Sequence, residues 1–511
     1  MTQPFSTTSP LDGAALDSVE PTAIDDIKTR VADARAAQPA WAALGPAARA
    51  EAIAAVKDRV LDRAELVVKT LKSELGKPEA ESLLAEVLPS GDVVDFWCKS
   101  IEEMLAASPV ELDALAYPGK SGAIERAPRG VVAVIMPWNF PVALPLRTIV
   151  PALLAGNAVV FKPSEVSPRA GKLVADLFEG VVPKGVLGLV QGGGDAGAAL
   201  CEADVDLVVF TGSVRAGRKV AHACAERLIP CSLELGGKDA AIVLGDANVE
   251  RAARGVVWGA MSNAGQNCAA IERVYVEKSI ADAFIAKVAE ITKSLRFGED
   301  FGPLATEAQR SIVKSHVESA REAAGTKVLT GGESLDEGYG YAPTVVRVES
   351  DATPLMQDET FGPVLPIHVV ASEDEAVKLA NDSKYGLTAS VWTKKIERGK
   401  KIAERLRAGV VTINNHAFTG ALPQAPWSGY GETGYGITNS PLALDALTRP
   451  RFVLVDKNRA KAELWWYPYT PALRTIASSF AKLRSKTTPI VEKVRAVFSL
   501  VGAFVTRMRG G

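Results

Sequence analysis

Two short stretches thirty-four positions apart, Glu234-Leu235-Gly236-Gly237-Lys238 and Gly265-Gln266-Asn267-Cys268, supply a carboxylate and a thiol suited to covalent catalysis. A cysteine that attacks a substrate leaves a covalent intermediate, and a nearby base can activate the water that removes it. Both groups stand among small residues, Gly236-Gly237 and Asn263-Ala264-Gly265, which let backbone approach a ligand closely. Taken singly, each has a plain structural explanation. A free cysteine is most often a small buried hydrophobe, and Cys98, Cys201, Cys224 and Cys231 are read that way. Glu234 could equally end a strand. The four histidines, His222, His316, His368 and His416, form no cluster in sequence, which disfavours Ser/His or Cys/His chemistry.

Three further stretches could bind or polarise a ligand. In Pro137-Trp138-Asn139-Phe140-Pro141 two prolines fix the backbone around a side-chain amide. Asn139 there is either a turn residue or a donor to a developing oxyanion, a role worth about a hundred- to a thousandfold in rate. In Phe210-Thr211-Gly212-Ser213 a strand opens into a helix through small residues. A helix N-terminus with free N–H groups binds phosphate, and an ordinary capped helix is about as well supported. Gly192, Gly194 and Gly197 match GxGxxG, but this copy comes late in its series of strands, and a plain glycine-rich turn is at least as good an account.

The elements that must position these groups follow from hydrophobic periodicity. Ile24, Ile27, Val31 and Ala34 recur at helical spacing, and the helical pattern continues to about position 105. Continuous apolar runs then alternate with helical stretches: 130–136, 158–161, 187–190 and 205–210. Such alternation predicts a parallel sheet covered by helices on both faces. A second alternating series from about 240 to 435 predicts a second α/β domain. No internal repeat or low-complexity linker separates the two, so they should pack firmly.

At 511 residues, 47% hydrophobic and 23% charged, the chain has the composition of a globular protein of two or three domains. A net charge of −2 gives no reason to expect nucleic acid as partner. Five cysteines without CxxC spacing suggest neither a disulfide framework nor a metal site, and fit a reducing compartment. The start Met1-Thr2-Gln3-Pro4 lacks the pattern of a secretory signal, and no apolar run reaches the roughly 20 residues that span a bilayer. Residues 457–511 stand apart, with eleven Lys and Arg against two Asp and Glu. Leu464-Trp465-Trp466-Tyr467-Pro468-Tyr469 opens that tail. Leu473, Ile476, Phe480 and Leu483 follow at helical spacing, then one stripe of Ile490, Val491, Val494, Val497, Phe498, Val501, Phe504, Val505 and Met508. Two amphipathic helices are expected there, docking on protein or lying on an anionic membrane surface.

In order and spacing, Pro137 to Pro141, Lys162-Pro163-Ser164-Glu165, Phe210 to Ser213, Glu234 to Lys238, Gly265 to Cys268 and Glu359-Thr360-Phe361-Gly362-Pro363-Val364 together resemble the NAD(P)-dependent aldehyde dehydrogenase superfamily. The resemblance covers about residues 20–455. It implies an α/β fold of two Rossmann-like doubly wound domains, a small β oligomerisation element and a helical C-terminal tail. The implied boundaries are a NAD(P)-binding domain at 1–109 and 129–236, the β element at 110–128 and 445–456, a catalytic domain at 237–444, and the extension at 457–511. It also demotes the GxGxxG copy.

The resemblance further implies that Cys268 attacks an aldehyde to give a thiohemiacetal, whose oxyanion Asn139 and the Cys268 N–H stabilise. Hydride passes to the nicotinamide, and Glu234 activates the water that hydrolyses the thioester. Lys162 and Glu165 look like the adenosine-ribose pair. Trp138, Gly212, Ser213 and Leu235 fall where the pyrophosphate and its neighbourhood are bound, and Glu359 with Phe361 resembles the clamp on the nicotinamide ribose and ring. Glu165 would repel a 2′-phosphate, which favours NAD, while nearby Lys162 leaves NADP open. Glu234 disfavours the CoA-acylating alternative, whose members typically lack it, and the intact Cys268, Glu234 and Asn139 disfavour a catalytically silent structural member. A homo-oligomer, dimer or tetramer, in the cytoplasm is implied. The tail leans the substrate toward medium- or long-chain or aromatic apolar aldehydes. Trp427 and Glu432 depart from the common pattern of the glycine-rich loop 426–436, and the tail adds about 55 residues.

Overall fold

The computed structural model describes residues 4–509 except 115, 417 and 460, with backbone only at 508 and 509. The chain divides into two compact units, Met1–Ala107 with Glu125–Arg451, and Ser108–Ile124 with Phe452–Gly511. The strands in chain order are β1 Ser108–Val110, β2 Lys120–Pro128, β3 Val131–Ile135, β4 Ala158–Lys162 and β5 Leu187–Leu189. Next come β6 Leu207–Thr211, β7 Cys231–Glu234, β8 Asp239–Val243, β9 Ile271–Glu277 and β10 Lys327–Thr330. The last are β11 Thr344–Val348, β12 Val364–Val370, β13 Thr388–Trp392, β14 Val410–Ile413 and β15 Thr448–Asp456.

The larger unit holds two twisted sheets. One has the order β5-β4-β3-β6-β7, all parallel, with Val132 opposite both Val159 and Leu207. Every residue of β3 and β4 is buried, as expected for strands covered on both faces. The chain winds one way from β3 to β5 and the other way through β6 and β7, so the order switches beside β3. In doubly wound sheets ligands bind in the crevice at such a switch, beyond the carboxyl ends of the strands. The Pro137 and Gly212 loops leave those ends. The Gly192 turn instead follows edge strand β5, which accounts for the weakness of the GxGxxG match.

The other sheet has the order β10-β11-β12-β9-β8-β13-β14. It is parallel except for the edge pair β10 and β11, an antiparallel ladder that the alternation of apolar runs did not disclose. Glu234 ends β7 and Asp239 starts β8, so the carboxylate stretch is the passage from one sheet to the other. Cys268 lies just before β9, at the leading end of the second sheet. Helices from Ile24 to Leu105 cover the first sheet, with a π-helical turn at Leu83–Val87 that leads into Leu88–Leu105.

The smaller unit contains the three-stranded sheet β1-β2-β15 and two helices, Pro471–Arg484 and Ile490–Arg509. Lys120 on β2 bonds Glu463 at 2.6 Å and Asp456 at 2.9 Å, and its ammonium lies 5.2 Å from the Trp465 ring, which ties the start of the tail to the sheet. The single stripe expected on the last helix is in fact two faces. Ala496 and Ala503 are buried and the Phe504 ring meets Phe480 at 6.4 Å, because this face packs on Pro471–Arg484. Ile490, Val491, Val494, Val497, Phe498, Val501 and Val505 form the other face and stay exposed. The side chain of Met508 lies outside the described residues. No helix among the described residues is long and apolar enough to cross a membrane.

Candidate active site

The nucleophile loop is bent by three consecutive left-handed residues, Asn263 (φ 53°), Ala264 (φ 53°) and Gly265 (φ 69°). For the two non-glycine residues this costs about 1–2 kcal/mol each, so neighbours must hold it. Asn263 does much of that, donating its amide to the carbonyls of Asn139 (3.0 Å) and Gln266 (2.9 Å), while its backbone N–H donates to the Glu81 carboxylate. Gln266 accepts from Ala305 N–H at 2.8 Å and donates to the Asn263 and Pro303 carbonyls. A Cβ on Gly265 would collide with the Gly362 carbonyl, so the position excludes side chains on two counts.

Asn139 is brought to the same place. Its Nδ2 donates to the Gln266 carbonyl at 3.2 Å, which fixes the amide orientation and leaves its second hydrogen for another acceptor. Its Oδ1 is buried without a partner among the described residues. The backbone around it is gripped by a buried ion pair. Lys77 bonds Glu86 at 2.7 Å and the Asn139 carbonyl at 2.8 Å, and Glu86 accepts from the N–H groups of Val142 and Ala143 at 3.1 and 2.9 Å. None of Lys77, Glu81 and Glu86 stood out in the sequence, because a charged helical stretch looks like a solvated face until its packing is known.

Glu234 is buried, and its Oε1 accepts from the Thr438 hydroxyl at 2.6 Å. Burial raises its carboxyl above the usual range, and the Arg147 guanidinium and the Thr438 bond oppose that only in part. The Cys268 thiol is pushed up to about 12, first by burial and then by the Glu234 charge, so the two groups feel one another. A Cβ on Gly237 would stand 2.5 Å from the Cys268 carbonyl oxygen, so the carboxylate and thiol stretches touch through a glycine. Thr438 lies two residues past the glycine-rich loop 426–436 and offered no signal of its role. Trp427 from that loop packs with Ala269, Leu387 and Cys268, and Glu432 pairs with Arg218 at 2.7 Å.

The loop 359–364 is over-determined in the same way. Glu272 accepts from Thr360 N–H (2.7 Å) and Phe361 N–H (2.8 Å), and pairs with buried Lys238 at 2.5 Å. Gln309 donates to the carbonyls of Thr360 and Phe361, and Phe361 takes φ 51°. Glu359 accepts from Gly237 N–H at 3.0 Å, and burial pushes its carboxyl up to about 8. A Cβ on Gly236 would collide with that carboxylate. The Phe361 ring meets Trp138 edge to face at 5.7 Å, which groups Trp138 with the expected nicotinamide clamp. Glu272 did leave a trace in the sequence, a carboxylate inside the strand Ile271–Glu277 that is otherwise rich in apolar residues.

The remaining expected cofactor residues lie at the carboxyl ends of β4, β6 and β7. Ser213 caps the helix Val214–Glu226, its hydroxyl accepting from Ala216 N–H at 3.3 Å, so the capping reading of this residue holds. The other first-turn N–H groups of that helix have no intrahelical acceptor, the arrangement that suits an anion. Gly212 lies just before the cap, and Leu235 packs on Gly217 of the helix, where a Cβ would collide with it. Lys162 is buried, donates to the Pro163 carbonyl at 3.0 Å and lies 3.7 Å from half-exposed Glu165. The carboxylates of Glu165 and Glu359, suited to ribose hydroxyls, and the helix end after Ser213 fit a dinucleotide.

Cys268 lines a mostly apolar cavity of 530 Å³ with Leu84, Leu144, Trp258, Met261 and Phe418, whose wall also carries the charged residues Glu81, Arg147, Arg254, Glu299 and Asp300. The doubly wound sheets, with a half-buried thiol and a buried carboxylate, fit a dinucleotide-dependent oxidoreductase as the class. Comparison with known proteins gives the family: residues 1–453 match the model of the aldehyde dehydrogenase family, and the chain belongs to it. It is 35% identical over 467 residues to 4,4'-diapolycopene aldehyde oxidase of Methylomonas sp, covering 90% of this chain and 88% of that protein. It is also 35% identical over 483 residues to a provisionally named NADP(+)-dependent succinate-semialdehyde dehydrogenase 2 of Mycobacterium ulcerans, covering 91% and 92%. Among solved structures, PnpE of Pseudomonas sp. WBC-3 in complex with nicotinamide adenine dinucleotide superposes with a TM-score of 0.86 at 34% identity, over 91% of this chain and 96% of that one.

Proposed function

We propose that this enzyme oxidises apolar aldehydes to carboxylic acids by a hydrolytic route, with NAD+ as the preferred cofactor. The observation that carries the proposal is the contact of the Glu234 and Cys268 stretches at Gly237, with Cys268 itself on the wall of the mostly apolar cavity. The Cys268 thiol gives up its proton to solvent as its sulfur adds to the aldehyde carbon, and the oxyanion of the thiohemiacetal takes the free Asn139 N–H and the Cys268 N–H. Bound NAD+ supplies the acceptor for the hydride. The thioester left on Cys268 is cleaved by a water whose proton Glu234 removes, and the acid leaves as the thiol reforms. A carboxylate at this place distinguishes the route from transfer to CoA. Thr438 and Arg147 position and temper Glu234, while Lys162, Glu165, Ser213, Glu359, Phe361 and Trp138 hold the cofactor. In this assignment the five-stranded half binds the dinucleotide, the seven-stranded half carries the nucleophile, and the three-stranded sheet serves oligomerisation.

The apolar lining supports medium- or long-chain or aromatic aldehydes over short polar ones. The test is NADH production across aldehydes of graded length and aromaticity, with succinate semialdehyde as the acidic comparator. Highest kcat/KM on succinate semialdehyde would overturn the substrate class, and product formed only with CoA would overturn hydrolysis. A Cys268→Ala variant as active as the parent would remove the mechanism altogether.

For the tail we propose a lipid-surface role. Among the described residues the exposed apolar face of the last helix contains no charged side chain, Lys493 and Arg495 flank it, and Trp465, Trp466, Tyr467 and Tyr469 are exposed nearby in the sequence. Interfacial aromatics, an apolar stripe and a charge excess of nine suit an anionic bilayer. Full-length protein should float with anionic liposomes, and protein lacking 457–511 should not. If the full-length chain never floats, the helix face serves protein contact instead.

A further inference from the structure

Three cysteines that the catalytic account leaves unused gather at the β7 edge of the five-stranded sheet. Cys224 lies near the end of the helix Val214–Glu226, Cys231 opens β7, and Cys201 joins them in one cluster. The return from helix to strand is tight, because the N–H groups of Arg227 and Ile229 donate to the Cys224 carbonyl at 3.2 and 3.1 Å. It brings the Cys224 and Cys231 thiols into a hydrogen bond. Cys224 is buried, whereas Cys231 is half-buried and so only partly the small buried hydrophobe that the sequence suggests. Cys231 Sγ also lies 3.0 Å from the hydroxyl of Tyr435, an exposed ring.

The Cys224 S–H and the Tyr435 O–H both favour a Cys231 thiolate, which lowers that thiol against the opposing effect of burial. Cys224, which donates to that sulfur, is raised, and Cys201 is raised to about 11, first by burial. A reachable thiolate beside a protonated neighbour is the arrangement of an attacking and a resolving cysteine. The pair is also joined to the catalytic base. Glu234 stands three residues beyond Cys231 on β7, and Thr438, which donates to Glu234, stands three residues beyond Tyr435. Two backbone bonds tie these segments together, Gly436 N–H to the Leu233 carbonyl at 2.8 Å and Leu235 N–H to the Thr433 carbonyl at 2.9 Å.

We propose that Cys231 and Cys224 form a dithiol that hydroperoxides oxidise to a disulfide, and that this oxidation slows the hydrolytic step at Glu234. The slowing rests on the proposed function, and the oxidation does not. The Cys231 sulfur attacks one oxygen of the hydroperoxide, the O–O bond breaks, and the other oxygen leaves as alcohol or water with a solvent proton. The Cys224 sulfur then attacks the sulfenic sulfur, the S–O bond breaks, and the hydroxyl leaves as water with the Cys224 proton. The thiol pair loses two electrons and the peroxide gains them. Tyr435 thereby loses its anionic acceptor, which loosens the segment carrying Thr438. The Glu234 carboxyl then keeps its proton to higher pH, since the Thr438 bond is one of the effects that oppose its rise.

The test exposes the full-length enzyme to hydrogen peroxide, alkylates the remaining thiols, and weighs tryptic peptides before and after reduction. Cleavage after Arg227 parts the two cysteines, so peptides 220–227 and 228–238 should appear joined and come apart on reduction, with Cys201 alkylated. Cys224→Ser should stop at a sulfenic acid on Cys231, trapped by dimedone, and Tyr435→Phe should slow the oxidation severalfold. The oxidised parent should keep its NADH burst, lose about tenfold in steady rate near neutral pH, show the rising limb of its pH profile displaced upward, and recover on reduction. Cys231→Ser should keep its steady rate through the same treatment. No joined pair, a pair formed with Cys201 instead, loss of the burst together with the steady rate, or a joined pair with a steady rate within about twofold of the untreated enzyme overturns the inference. An untreated parent that makes no NADH from any aldehyde overturns the proposed function, and the joined peptides alone then decide the dithiol.

Discussion

The loop 359–364 and the helix Ile490–Arg509 use side chains in opposite ways. In the loop, Glu272 holds the N–H groups of Thr360 and Phe361, and Gln309 holds their carbonyls. In the helix, seven apolar residues lie exposed along one face, and none of them makes a specific hydrogen bond through its side chain. The loop is specified by individual bonds in a buried place, where each lost partner leaves an unsatisfied charge or dipole. The helix is specified by a summed area, to which each residue adds a little. Single substitutions should therefore be severe in the first region and graded in the second.

The largest effect expected is on Glu234. Glu234→Gln should still acylate, giving a stoichiometric burst of NADH, but the steady rate should fall by about a hundred- to ten-thousandfold. An unchanged steady rate would sink its role as base. Next is Glu272→Gln, which leaves the buried Lys238 ammonium without its counter-ion. Loss of about 3–5 kcal/mol of stability is expected, seen in thermal melting, together with weaker cofactor binding. A melting point equal to the parent's would mean that the loop does not depend on this pair.

The pH dependence is a milder probe of the same region. Burial raises the Glu234 carboxyl, so its proton persists to higher pH than on an exposed glutamate and the base is disabled below that point. The steady rate should accordingly rise with pH through a group above the usual carboxylate range, and that limb should vanish from the steady rate of Glu234→Gln. The smallest effect belongs to the tail. Phe498→Ser should weaken flotation with anionic liposomes by about ten- to thirtyfold in partition, through loss of roughly 1.5–2 kcal/mol of buried area, and leave melting unchanged. Total loss of binding from this one change would erase the contrast between the regions.

Legibility in the sequence followed the kind of signal each element leaves. The apolar runs that became β3, β4 and β6 were plain because strands buried on both faces need continuous hydrophobic residues. The short edge strand β10 and its antiparallel pairing left no comparable pattern. Cys268, Glu234 and Asn139 were conspicuous because they stand among glycines and prolines. Thr438, Glu81, Glu86 and Lys77 were not, since each is an ordinary residue in an ordinary local setting, and what makes it important lies as much as two hundred positions away. The tail shows the same limit. Periodicity located both helices, but Phe504 belongs to the face packed on the neighbouring helix, not to the exposed stripe.

By itself the sequence determined the family, the two α/β series, the amphipathic tail and the residue types able to perform the reaction, because these depend on local order and spacing. Only the tertiary structure decided how those groups are held. It set Gly237 against the Cys268 carbonyl, buried Glu234 under Thr438, and placed the Lys77–Glu86 and Lys238–Glu272 pairs where they grip the catalytic loops. The physical reason is that burial and distance set both the proton affinity of a carboxyl or thiol and the worth of a charge pair, and neither is a property of a residue's neighbours in the chain.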